Sequence, residues 1–92
     1  MIEKAVSLHN DIGNHDKVYY IQIVSAENNK FTVCFQYGRR GKHLTYGTKT
    51  DIPVSLWEAE RLFSDKLNHE LKKGYHVIPN PVDLLTIIGF SY

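Results

Sequence analysis

Apolar residues recur at strand spacing along the first half of the chain and at helical spacing from Leu56 onward. Within Lys4–His9, Val6 and Leu8 alternate with Ala5, Ser7 and His9, which predicts a short strand at the sheet edge. The turn-rich stretch Asn10-Asp11-Ile12-Gly13-Asn14-His15-Asp16 ends it. Lys17–Ser25 is apolar on both faces, with Tyr19, Ile21 and Ile23 on one side and Val18, Tyr20, Gln22 and Val24 on the other. A strand of this kind is central and covered on both sides. Ala26-Glu27-Asn28-Asn29-Lys30 reads as a hairpin connection, because Asn tolerates the left-handed backbone of tight turns. The strand that follows pairs antiparallel, with Phe31, Val33, Phe35 and Tyr37 on one face and Thr32, Cys34 and Gln36 on the other. Leu44 and Tyr46, within Gly41–Thr50, predict a further hairpin strand.

One helix is strongly signalled. Ser55 with Glu58 three residues on matches a capping box, Pro53 precedes it, and Gly74 offers a left-handed cap at the far end. Leu56, Ala59, Leu62, Phe63, Leu67 and Leu71 form the expected inward stripe, opposite Glu58, Arg61, Asp65, Asn68 and Lys72. Trp57, beside the cap, either packs on the C-terminal segment or meets a partner. Beyond Pro79-Asn80-Pro81 the chain carries Leu84, Leu85, Ile87, Ile88, Phe90 and Tyr92, too apolar for a solvated tail. It is expected to add a strand or helical turn to the core, or to bind a partner. The predicted fold is α+β, a single antiparallel β-sheet with one amphipathic helix packed on it. One domain fills residues 1–92, with its core at about 5–78 and an apolar extension at 79–92.

Composition narrows the function. With 11 Lys+Arg against 10 Asp+Glu, the chain lacks the cationic excess of a nucleic-acid coat, so any such role rests on a local patch. Tyr37-Gly38-Arg39-Arg40-Gly41 opens a stretch without an acidic residue through Lys49. The candidate nucleic-acid contacts are Tyr37, Gly38, Arg39, Arg40, Lys42 and Lys49. The blander readings are an aromatic ring completing the stripe under the helix and an ordinary solvated turn. Neutralising about three or four phosphates implies weak, salt-sensitive, sequence-independent binding.

Cys34, the single cysteine, excludes an internal disulfide and reads as a small mid-strand hydrophobe rather than a nucleophile. His9, His15, His43, His69 and His76 have no paired short spacing, so no metal site or other cofactor is expected. Met1–Leu8 holds Glu3 and Lys4 and no continuous apolar core, and no run approaches the ~20 residues of a membrane span. The expectation is a cytoplasmic, non-enzymatic binding module. The alternative is a protein-interaction module or homodimer built on a sheet edge or on the C-terminal apolar segment.

The order of these elements resembles the WGR domain, a sheet-plus-helix module named for a Trp-Gly-Arg signature and found in poly(ADP-ribose) polymerases and in stand-alone bacterial proteins. The resemblance rests on Leu8-His9-Asn10-Asp11-Ile12 ahead of Asn14, on Lys17-Val18-Tyr19-Tyr20-Ile21-Gln22, on Gln36-Tyr37-Gly38-Arg39-Arg40-Gly41, and on Lys72-Lys73-Gly74-Tyr75. Tyr37 stands where the signature has Trp. The resemblance implies DNA binding, with Tyr37 as the stacking ring, Gly38 as the close-approach residue and Arg39 as a phosphate or interdomain contact.

Overall fold

The computed structural model describes residues 1–78. Strands β1 (Ile2–Asn10), β2 (Lys17–Ser25), β3 (Phe31–Arg39) and β4 (Thr45–Thr48) are followed by helix α1 (Leu56–Lys72) and a short β5 (His76–Val77). They form one five-stranded sheet in the order β4-β3-β2-β1-β5, with every pair antiparallel. The sheet with its single helix is the α+β arrangement that the patterning predicts. The apolar segment expected to add to the core, 79–92, lies outside the described residues.

The hairpin at Asn28-Asn29 forms as its chemistry requires. Both residues take positive φ, at 59° and 58°, and the Ala26 N–H donates to the Lys30 carbonyl at 2.7 Å. The closed turn sets the register of the long β2–β3 pair, which runs from Ser25↔Phe31 out to Lys17↔Arg39. In one respect the sheet departs from expectation, because β1 is interior. After α1 the chain turns back, and Val77 and His76 pair with Leu8 and His9 on the outer side of β1.

The core lies between α1 and one sheet face. Leu8, Tyr19, Ile21, Ile23, Phe31 and Val33 meet Ala59 and Phe63, with Leu62 and Leu67 packed around them. Truncating Phe63, which is 2% exposed, to Ala costs ~3–5 kcal/mol through lost burial and a cavity. The opposite face carries a second, smaller group, Val18 and Tyr20 with Ala5 and Leu44. Cys34 is buried on that face, in the middle of β3, with its thiol 3.8 Å from the Thr32 hydroxyl.

The N-terminus of α1 is capped as the sequence indicates, with the Glu58 N–H donating to Ser55 Oγ at 3.2 Å. The Glu58 carboxylate turns to Arg61. At the other end Gly74, at φ +107°, closes a Schellman turn: its N–H reaches the Leu71 carbonyl and the Tyr75 N–H reaches that of Glu70. The inward stripe differs from the expected one at both ends. Leu56 and Leu71 are exposed, and the buried line runs through Ala59, Phe63 and Glu70. The last two turns of the helix therefore present Lys66 and Glu70 to the sheet where a leucine stripe was expected. Trp57 is 74% exposed, so its indole is not part of the core.

Candidate functional site

The β2–β3 register sets Tyr19 directly opposite Tyr37 on the helix side of the sheet. Their rings stack at 5.2 Å between centroids and 10° between planes, and Phe35 lies 5.8 Å from Tyr19 at 26°. Tyr75, delivered by the Schellman turn, meets Tyr19 edge-on at 5.7 Å. An aromatic wall thus continues the core outward, and Tyr37, at 38% exposure, is its solvent-facing end. The ring belongs to the stripe under the helix and is also partly open to solvent.

The wall forms one side of a groove of about 640 Å³ between the open end of the sheet and the last turns of α1. Lys66 sits over the rings, with Nζ 5.0 Å from the Tyr19 centroid and 5.2 Å from that of Phe35. The same ammonium lies 3.1 Å from Glu70 Oε2, and Lys73 Nζ approaches that oxygen at 3.7 Å. Burial disfavours the Lys66 ammonium, yet hydrogen bonds with Tyr19 and Glu70 outweigh it and hold its pKa above the usual lysine value. The Tyr75 hydroxyl is pushed up by burial and by the negative charge of Glu70. Asn10 fastens the groove floor, accepting from the Ile12 N–H at 3.1 Å and donating to the Lys73 carbonyl at 3.5 Å.

At the groove mouth Lys17 and Arg39 are register partners across β2 and β3, and both line the groove. Like charges directly opposite on a sheet repel, at ~0.2–1 kcal/mol. Among the described residues neither has an acidic partner. Gly38 also lines the groove, and its backbone lies so close to the β3–β4 turn that an added Cβ would meet Leu44 Cδ2 at 3.2 Å.

The basic residues that lie close together in sequence are separated in space. Arg40 is turned away from the groove, its Nε 3.2 Å from Asp16 Oδ1, and that oxygen also receives His9 Nε2 at 2.8 Å. The His9 hydrogen bond, aided by the Arg40 charge, holds the Asp16 carboxyl below its ordinary value. Lys42 follows in the turn, its N–H donating to the Arg39 carbonyl. Lys49 bonds through its N–H to the Val33 carbonyl, six residues down β3 and so ~20 Å from Arg39. Of the candidate contacts, Tyr37, Gly38 and Arg39 are groove residues, while Arg40, Lys42 and Lys49 lie outside its lining.

Sequence reasoning missed the other half of the site: Lys17, Tyr19, Lys66, Glu70, Lys73 and Tyr75. The Lys17–Arg39 pair was within reach, because a hairpin closed at Asn28-Asn29 sets those two opposite each other. The helix residues Lys66 and Glu70 lie along the same inward face as Ala59 and Phe63, but charged side chains do not enter an apolar stripe read from sequence.

The ends of β2 and β3 and the last turns of α1 thus converge on a groove lined by stacked rings and by both cations and Glu70. Residues 3–82 match the family model of the WGR domain, and the chain belongs to that family. WGR domains are nucleic-acid-binding modules in poly(ADP-ribose) polymerases. No curated protein and no solved structure matched the chain. Among the described residues no helix is long and apolar enough to cross a membrane.

Proposed function

We propose that this WGR domain binds nucleic acid, DNA foremost, without catalysis, and that it does so in the groove between β3 and the end of α1. The observation that carries the reading is the Lys17–Arg39 pair, two cations at register-paired positions of β2 and β3, neither with an acidic partner among the described residues. A phosphate placed there removes a repulsion that the fold otherwise tolerates and adds charge-assisted hydrogen bonds. Lys73 extends the same cationic track. The open face of Tyr37 takes a sugar or base, a contact worth ~1–3 kcal/mol per stacked base. Arg40, Lys42 and Lys49 act on a longer duplex through their field, outside the groove itself.

This assignment implies sequence-independent binding, since nothing in the groove arranges paired donors and acceptors to read a base edge. The test is titration of fluorescently labelled blunt, nicked and single-stranded oligonucleotides at low and moderate salt, with the native chain and with Tyr37→Ala. Binding that weakens with salt and weakens further, by ~5-fold or more, on loss of the ring is the expected result. Absence of binding at low salt, or affinity indifferent to Tyr37, refutes it.

A further inference from the structure

The groove wall holds a histidine, His15, beside the permanent cations Lys17, Arg39 and Lys73. An imidazole ordinarily titrates near pH ~6.5, in a range where ammonium and guanidinium groups stay charged. Of the groups around the groove mouth, this is the one whose charge can change under ordinary conditions.

The local structure holds His15 in place. It lies near the end of the loop between β1 and β2, two residues before β2 begins. The loop is tied internally, because the Ile12 N–H donates to Asn10 Oδ1 at 3.1 Å and the His15 N–H donates to the Ile12 carbonyl at 3.1 Å. Its far end is anchored by Asp16. That carboxylate takes His9 and Arg40, and the Asp16 carbonyl accepts from the Arg40 N–H at 2.8 Å. His15 and Lys17 flank the anchor, and both line the groove.

The charges that share the groove with His15 are mostly positive. Lys17 and Arg39 come from β2 and β3, Lys66, Lys73 and Glu70 from α1, and the phenols of Tyr19, Tyr37 and Tyr75 complete the titratable set. Glu70 is engaged by Lys66 and Lys73, and Asp16 by His9 and Arg40. Asp11 is exposed in the same loop. His15 is itself exposed, and among the described residues its imidazole has no hydrogen bond or ion pair. A phosphate entering the groove brings an opposite charge to this ring, and an opposite charge favours the protonated form.

We propose that His15 is a titrating phosphate contact of the groove, a fourth cation available in its protonated form, so that nucleic-acid binding takes up a proton and strengthens as pH falls below neutrality. This assignment rests on the groove as the nucleic-acid site and adds to it a dependence on pH. Proton uptake and ligand binding are reciprocal, so a tenfold preference of phosphate for the protonated imidazole raises affinity by up to ~10-fold across the transition. One more phosphate neutralised also adds ~0.9 to the salt slope. His9, His43, His69 and His76 gain charge in the same range but lie outside the groove lining, so substitution at His15 separates its contribution from theirs.

The experiment is fluorescence anisotropy with a labelled blunt duplex at pH ~8 and pH ~5.5, using the native chain, His15→Gln and His15→Lys, each checked for folding by circular dichroism. The native chain should bind ~3–10-fold more tightly at pH ~5.5, with a salt slope steeper by ~0.9. His15→Gln should lose at least half of that gain, and His15→Lys should bind ~3-fold or more tightly than the native chain at pH ~8. The His15 imidazole resonance, assigned by its absence from His15→Gln, should titrate ~0.5 pH or more higher with saturating duplex than without it. Equal gains in the native chain and His15→Gln, or a His15 titration that duplex does not move, overturn the proposal and leave the groove in place as the binding site. Duplex binding absent at both pH values overturns the groove and this proposal together.

Discussion

Replacing Arg39 by Ala tests the groove through the salt dependence of binding, independently of absolute affinity. Three groove cations reach solvent where a phosphate can meet them, Lys17, Arg39 and Lys73, the last also 3.7 Å from Glu70, whereas Lys66 is more enclosed and lies closer to that carboxylate. Each phosphate neutralised on a duplex contributes ~0.9 to the slope of log K against log salt, so the native chain should show a slope of ~−2.7. Between ~50 and ~200 mM salt that is a ~40-fold loss of affinity, against ~12-fold for Arg39→Ala, whose slope falls to ~−1.8. The native advantage therefore narrows ~3.5-fold over this range, which fluorescence anisotropy with a labelled blunt duplex resolves. Stability should change by less than ~0.5 kcal/mol, because Arg39 is exposed, has no acidic partner and faces Lys17. Parallel salt plots for the two proteins would show that Arg39 touches no phosphate and would move the site elsewhere.

Gly47 is the position in β4 over which the Phe35 ring lies, and an added Cβ would fall 2.5 Å from Phe35 Cζ. Gly47→Ala should destabilise the fold by ~1–3 kcal/mol in urea unfolding, and an unchanged midpoint would show that the aromatic wall repacks freely. Glu70 is 1% exposed between Lys66 and Lys73, so Glu70→Leu should cost ~1–3 kcal/mol by leaving the half-buried Lys66 ammonium without its carboxylate. A variant as stable as the native chain in thermal melts would refute the buried pairing. Tyr46 has its pKa pushed up to about 12, chiefly by its hydrogen bond with Cys34 and then by burial. Since the folded value lies above the unfolded one, the associated stability is present below pH ~10 and fades as pH rises towards 12. In ultraviolet difference titration against Tyr46→Phe, Cys34→Ala should bring this transition down towards pH ~10, and no movement would exclude the thiol as its cause.

The sequence by itself determined the elements and most of their order. Period-two apolarity in Lys17–Ser25 and Phe31–Tyr37, the Asn28-Asn29 turn and the Ser55 cap are local signals, each set by backbone geometry within a few residues. They also brought Tyr37, Gly38 and Arg39 forward, because an aromatic, a glycine and an arginine at a strand exit form a local pattern. Tertiary structure decided what those residues face. The interior position of β1 depends on β5 returning after the Gly74 turn, a pairing between residues nearly seventy positions apart. The phase of α1 against the sheet places Lys66 and Glu70 beside Tyr19, on the face that Ala59 and Phe63 bury, and the Gly74 turn brings Tyr75 to the same ring. Charge clustering along the chain is likewise a poor guide to charge clustering in space. β3 ends at Arg39, which enters the groove, while Arg40 lies in the turn beyond it and meets Asp16, and the return through β4 carries Lys49 to the far end. The groove is a product of register and helix phase, and both are set by packing across the whole sheet.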